Sequence, residues 1–232
     1  MRDLMKSRES INQTKKSTHV KDSVHNISIV HLPEPKFEND VTVYEALKSR
    51  KTTRSIKETE LSLQTLSNLL WSANGINREN GPFGIPGKTA GSASNSQEID
   101  IYVVLKDGIY LYESIDRKLT PVLEGDYRTL VISPGQIADA KHAPVHLVYV
   151  ADIDKFSKAG YQEPGLYTPE VQQSYYYVDT GLIAQNVYLY AAAEGLAAWF
   201  HNCNRNALTE RINLQSNQKV LFGQTIGYPE EE

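Results

Sequence analysis

Cysteine is almost absent: Cys203 is the only one in 232 residues. One thiol allows no disulfide within the chain and no cysteine-built metal site. The six histidines include no H-E-x-x-H pair, so a hydrolytic zinc site is not expected, and no metal is assigned. No G-x-S-x-G elbow and no G-x-G-x-x-G fingerprint occur, which argues against a lipase-type hydrolase and a dinucleotide-binding βαβ unit. No apolar run approaches about 18 residues, so no membrane span is expected. Positive charge is not in excess either. The formal net charge is −4, which argues against general nucleic-acid binding. The opening stretch lacks the apolar centre of a signal peptide as it stands.

What is there is ordinary globular material, 40% hydrophobic and 22% charged, enough for one large domain. Tyrosine is the exception. Tyr175, Tyr176, Tyr177, Tyr188 and Tyr190 cluster late, where they suit an interface. Residues 1–36 read as an N-terminal arm: polar to about residue 26, then extended through the Pro-broken stretch Ile27 to Lys36. Residues 37–232 read as the domain.

Thr42 to Arg50 is a short helix with a capping box, Thr42 and Glu45. Ser62 starts a second helix, with Leu63, Leu66, Leu69, Leu70 and Ala73 at helical spacing and Gly75 at its stop. Residues 75–97 read as a Gly- and Ser-rich loop, long enough to be functional. Ile99 to Leu105 and Ile109 to Glu113 make a hairpin about Asp107-Gly108. Ala143 to Val150 is a strand, and Val171 to Glu194 a long apolar helix closed by Gly195. Leu196 to Phe200, Asn206 to Leu214 and Val220 to Tyr228 read as strand, helix and strand. The order lacks regular βαβ alternation, so the fold class is α+β.

Three constellations carry chemistry. Arg50, Lys51, Thr52 and Arg54 follow the first helix and supply what an organic phosphate needs: guanidinium forks, an ammonium and a hydroxyl. A solvated basic face accounts for the same residues. Ser92, Ala93, Ser94 and Asn95 precede the hairpin. Small residues allow close approach to a planar ligand, and an amide can meet a ring edge. A flexible polar loop is the plainer alternative. Phe200 and His201, beside Trp199, could stack on a ring system or simply belong to a core strand. The nearby Gly81 to Thr89 stretch approaches a P-loop, but Pro82 stands where that motif needs glycine, and a helix precedes it.

Taken in order, these segments resemble the nitroreductase family, over about Thr42 to Pro229. Arg50-Lys51-Thr52-Thr53-Arg54 is similar to the family's Arg-x-Ser-x-Arg segment. Leu69 to Arg78 resembles the branch that includes the azoline-forming oxidases. Lys88 to Ala93 is similar to the family's R-T-A-P-S-A loop, with Lys88 for Arg and Gly91 for Pro. Asp179-Thr180-Gly181 and Gln185-Asn186 lie in a helix like the family's dimer-core helix. Gly195 to Ala198 resembles the turn before the strand whose backbone faces flavin N5, and Gly227-Tyr228-Pro229 the closing strand. Family members often carry Lys or Arg after that strand; here Glu230 to Glu232 follow.

The resemblance implies a mainly antiparallel sheet flanked by helices, in a homodimer with a long interface helix. It implies FMN held by Arg50, Lys51, Thr52, Arg54, Ser92, Ala93, Ser94, Asn95, Phe200 and His201. It implies hydride from NADH or NADPH, passed through flavin N5 to a small acceptor such as a nitroarene or quinone, with no dedicated acid, base or nucleophile. A cytoplasmic setting is expected, with no nucleic-acid or membrane partner. An oxygen-using oxidase of the same fold, an FMN-binding protein without turnover, and a non-flavin interaction domain remain as alternatives.

Overall fold

A computed structural model describes residues 27–135, 140, 142–162 and 165–230. The polar stretch before residue 27 lies outside them. The ten residues that follow, read from sequence as part of an arm, belong to the domain. Val30–His31 forms strand β1, Leu32 is buried, and the Lys36 N–H donates to Asn68 Oδ1 at 2.9 Å.

Helix α1 spans Val43–Ser49. Its capping box closes as expected: Thr42 Oγ1 accepts from the Glu45 N–H, and Glu45 returns a carboxylate oxygen to the Thr42 N–H at 2.8 Å. Helix α2 spans Leu63–Asn74, with Ser62 Oγ accepting from the Thr65 N–H. Gly75 does end it, but not through a left-handed turn, for its φ is −77°. Space is the reason. A Cβ there would lie 2.4 Å from Trp71 Cδ1, because the indole folds over the helix end and donates to Ile76 O at 2.9 Å.

The segment 75–97 is more ordered than a loop. Strands β2 (Ile76–Arg78) and β3 (Gly87–Lys88) pair antiparallel, and short 3-10 turns at Pro82–Gly84 and Ala93–Asn95 follow the chain round. Then come β4 (Ile99–Val104), β5 (Gly108–Glu113) and β6 (Lys118–Glu124). β6 was not expected from sequence, since Pro121 interrupts it. Pro121 sits opposite Tyr110, beside a register shift, where a missing N–H is tolerated. Helix α3 (Arg128–Val131), β7 (Val145–Asp152), helix α4 (Pro169–Ala193), β8 (Ala197–His201), helix α5 (Arg205–Ile212) and β9 (Gln218–Gly227) complete the described chain.

Seven strands form one sheet in the order β1-β6-β5-β4-β7-β9-β8, every pairing antiparallel. Its central strands read as unbroken apolar runs because both faces are covered. Ile101, Val103, Leu147 and Tyr149 join Leu69, Leu70, Ile183 and Val187 of α2 and α4 on one face. Tyr102, Val104, Val148 and Val150 join Val131, Leu208 and Ile212 of α3 and α5 on the other. This is the α+β arrangement expected from sequence.

Gly75→Ala tests the steric account of the α2 terminus. The backbone there suits alanine, so a loss of about 1–3 kcal/mol in denaturant unfolding would report the Trp71 contact. Unchanged stability would show that the indole yields freely.

Candidate functional site

The chain leaves α1 at Arg50 and runs beside the ends of β8 and β9. The Thr53 N–H donates to Ala198 O at 3.0 Å, the Lys57 N–H to Tyr228 O at 2.8 Å, and Ile56 bridges Pro229. This pinning presents Arg50, Lys51, Thr52 and Arg54 at the surface beside α4. The Arg50 guanidinium lies 5.2 Å from the Tyr188 ring centroid, and Arg54 lies 5.7 Å from that of Trp199. Neither arginine forms an ion pair with a described carboxylate. Tyr188 ties the group together. Its hydroxyl accepts the Phe200 N–H at 2.8 Å and shares a hydrogen bond with Thr52 Oγ1 at 3.1 Å. A forked cation and a hydroxyl thus meet at Tyr188, a pairing that suits a phosphate monoester, while Arg54 lies over Trp199.

Glu230 enters the same neighbourhood. Its N–H donates to Ser55 O at 3.1 Å, so an acidic residue stands where the resemblance calls for a basic one.

Phe200 and His201 point to opposite faces of β8, as strand alternation requires. Phe200 is half-buried against Tyr149 and Phe222. His201 is only 4% exposed, and both ring nitrogens are engaged, Nδ1 with Asn202 O at 2.7 Å and Nε2 with Thr225 Oγ1 at 2.8 Å. Burial lowers its pKa. The carbonyl at Nδ1 fixes the proton there, so Nε2 accepts from Thr225 and the ring is neutral. His201 therefore has no nitrogen to offer a ligand, and Phe200 contributes its backbone through Tyr188. His142 and His146 stand four apart, but Pro144 lies between them and His146 Nδ1 is bound to Thr225 Oγ1 at 2.9 Å. Among the described residues no cluster of three His, Cys, Asp or Glu could hold a metal ion.

Ser92, Ala93, Ser94 and Asn95 form a second centre, against the first half of α4. The loop is strained: Ser94, Asn95 and Gln97 take φ of 50°, 56° and 52°, which costs of order 1 kcal/mol or more each. Hydrogen bonds hold it. The Ala93 N–H donates to Asp179 Oδ2 at 3.0 Å, the Gly160 N–H to Ser94 O at 3.0 Å, and the Gln97 N–H to Ser92 Oγ at 3.0 Å. The Asn95 amide faces the 82–86 turn, donating to Ile85 O at 3.3 Å, while its oxygen accepts from Gln97 Nε2 at 3.0 Å. Asn95 thus shapes the loop from within; its amide is not held out toward a ring edge.

Beneath this loop lies a group that sequence reasoning missed. Glu98 is fully buried and Asp179 is 4% exposed, and both line one small cavity. The Ser96 hydroxyl donates to Glu98 Oε2 at 2.6 Å. Burial first, then the Glu98 charge, push the Asp179 carboxyl well above the ordinary range, with the Ala93 N–H acting the other way. Burial, and then Lys155, pull the neighbouring Lys88 down to about 8, against Asp100 and Glu98. A carboxylate in the apolar stripe of a long helix was the signal available in the sequence.

A model of the Nitroreductase family matches residues 47–228. The chain belongs to the nitroreductase family. A Methanocaldococcus jannaschii protein, provisionally named a nitroreductase, is 26% identical over 164 residues, 68% of this chain and 76% of its own. A crystal structure from Ralstonia eutropha JMP134, also provisionally a nitroreductase, shares 30% identity at a TM-score of 0.76, covering 88% of this chain and 90% of its own. The microcin synthetase McbBCD complex of Escherichia coli is similar in fold, with a TM-score of 0.63 at 16% identity, covering 98% of this chain and 85% of its own. As a nitroreductase-family protein the chain is an oxidoreductase, and no described helix is long and apolar enough to cross a membrane.

In this nitroreductase-family site, Tyr188→Phe keeps the ring under Arg50 and removes the hydroxyl. The Phe200 N–H then loses its acceptor, and unfolding should show a loss of about 1–3 kcal/mol. A neutral result would mean that water takes the place of the hydroxyl.

Proposed function

We propose that the chain is an FMN-dependent oxidoreductase that works as a homodimer, each flavin lying between two copies. One observation carries this reading. The phosphate-type centre and the Ser92–Asn95 loop meet the same helix on opposite sides: Asp179 and Tyr188 are two and a half turns apart on α4, about 13 Å along its axis. The body of α4 stands between them within one chain. A second copy packed across α4 would bring its Ser92–Asn95 loop to the first copy's arginines. The outer faces support this. Val178 of α4 is 58% exposed and Tyr44 of α1 is 85% exposed, with Leu47, Tyr177 and Leu182 exposed beside them.

Arg50, Thr52 and Arg54 would hold the FMN phosphate, with Lys51 near the ribityl chain or ring edge. Ala198, whose carbonyl takes the Thr53 N–H, fixes the β8 backbone that would lie along the ring. The small side chains of Ser92, Ala93 and Ser94 would allow close approach from the second copy. When bound, FMN accepts a hydride, from NADH or NADPH in this reading, and passes it to a small acceptor such as a nitroarene or quinone. The residues facing it bind and orient; positive charge from Arg50 or Lys51 would favour negative charge developing at the ring edge. Stacked and exposed, Phe83 and Tyr161, with ring centroids 6.2 Å apart, stand beside the Ser94 loop, where they could bear on acceptor choice. The single buried thiol, Cys203, suits a cytoplasmic setting.

The decisive test is the visible spectrum after FMN addition and desalting, then NADH and NADPH under anaerobic conditions. Retained flavin that bleaches supports the reading. Retained flavin that neither donor bleaches favours an oxidase that takes electrons from its own substrate, and no retained flavin removes the reading. Arg50→Ala should weaken FMN binding by about 1.5–3 kcal/mol through loss of a charge-assisted pair. Glu230→Lys should tighten it by restoring a cation beside Ser55; unchanged affinity in both variants would put the phosphate elsewhere.

A further inference from the structure

The buried Glu98–Asp179 pair is not used by the mechanism above, yet it touches the loop that the mechanism needs. We propose that Glu98 and Asp179 hold one proton between them, and that Asp179, through the Ala93 N–H, is the positioning residue for the Ser92–Gln97 loop. The proposal rests on the flavin reading for the importance of that loop; the shared proton itself does not depend on it.

Hydrogen-bond accounting leads there. Two buried carboxyls lining one small cavity favour a single proton between them, because two buried anions side by side repel strongly. The surrounding donors are already assigned. Ser96 O–H goes to Glu98 Oε2 and the Ala93 N–H to Asp179 Oδ2, while Glu98 Oε1 is buried with no other donor among the described residues. A cavity of about 10 Å³, room for one water, lies among Lys88, Gly91, Ser92, Gln97, Glu98 and Asp179. Lys88 also lines an open cavity of about 480 Å³, together with Asp100 and Lys155. Lys88 and Gln97 line both cavities, and so stand between the pair and the open one.

Charge balance agrees. With one proton the pair carries a single negative charge, which the Lys88 ammonium matches. The other ionisable groups facing the cluster are Asp100 of β4 and Lys155 of the turn after β7, and these pair with each other at 2.5 Å. From α2 only the neutral Asn74 lines the small cavity. Removing the shared proton would leave two negative charges in a buried site, faced by a Lys88 that itself gives up its proton at about pH 8. The carboxyls would then separate, and Asp179 would draw Ala93 with it.

The sign of the pH dependence follows. An exposed aspartate loses its proton near pH ~4. The unfolded chain therefore releases this proton while the folded chain keeps it, so stability falls as pH rises from there past neutrality.

The experiment is the FMN dissociation constant of the full chain from pH ~6 to ~9.5, with infrared spectra of the flavin-free chain in the protonated-carboxyl region. Wild type should show a protonated-carboxyl band at neutral pH that disappears in alkali, and its FMN affinity should fall over the same range. Asp179→Asn can donate to Glu98 and accept from Ala93, so it should lose the band and hold the neutral-pH affinity throughout. Glu98→Gln, which can donate to an ionised Asp179, should likewise be flat, and it serves if the first variant fails to fold. Asp179→Leu leaves Ala93 without an acceptor and should weaken FMN about tenfold at every pH. Absence of the band at neutral pH overturns the shared proton. A band with a flat wild-type affinity overturns the positioning role. If no FMN binds at any pH the flavin reading fails, while the infrared comparison still decides the pair.

Discussion

Burial of one stripe of α4 against the sheet is the constraint on which the other features rest. Tyr176, Ile183, Ala184, Val187, Tyr190 and Ala191 recur at helical spacing and pack on α2 and the central strands. Each large apolar side chain in that stripe contributes roughly 1.5–3 kcal/mol. The stripe sets the rotation of the helix about its axis. That rotation aims Tyr188 at the Arg50 segment and Asp179 at the Ala93 loop, and leaves Tyr177, Val178 and Leu182 outward.

A helix held this way separates two jobs. Its C-terminal half organises cations: Tyr188 lies under Arg50, joins Thr52, and fastens both to the backbone of β8. Its N-terminal half organises a strained loop of small residues, through a carboxyl that burial keeps from behaving as an ordinary aspartate. The first centre is exposed and carries the positive charge. The second is anchored from below and offers backbone rather than charge. In the proposed reading the outward apolar face between them is the surface through which a second copy would join the two centres.

Much of this was legible in the sequence. Local signals survived because they depend on neighbours in the chain: the Thr42–Glu45 box, the Ser62 cap, the Asp107-Gly108 turn, the long helix. Residues 50–54 could be picked out because cations and hydroxyls adjacent in sequence remain adjacent in space. What sequence reasoning missed depends on distant partners. Tyr188 is one tyrosine among many until β8 brings the Phe200 N–H to its hydroxyl. Glu98 and Asp179 are far apart in the chain, and their meeting shows only in three dimensions. For His201 and Asn95 the structure adds partners that the sequence does not show. Both residue types suit ligands, but Thr225 and the 82–86 turn use their polar atoms internally. Gly75 stops a helix as expected, yet for want of room beside Trp71.

The flavin site divided between two copies is tested most directly by native mass spectrometry of the chain after FMN addition and desalting. A divided site predicts two chains carrying two FMN, with single chains released free of flavin. A single chain that retains one FMN would contradict it.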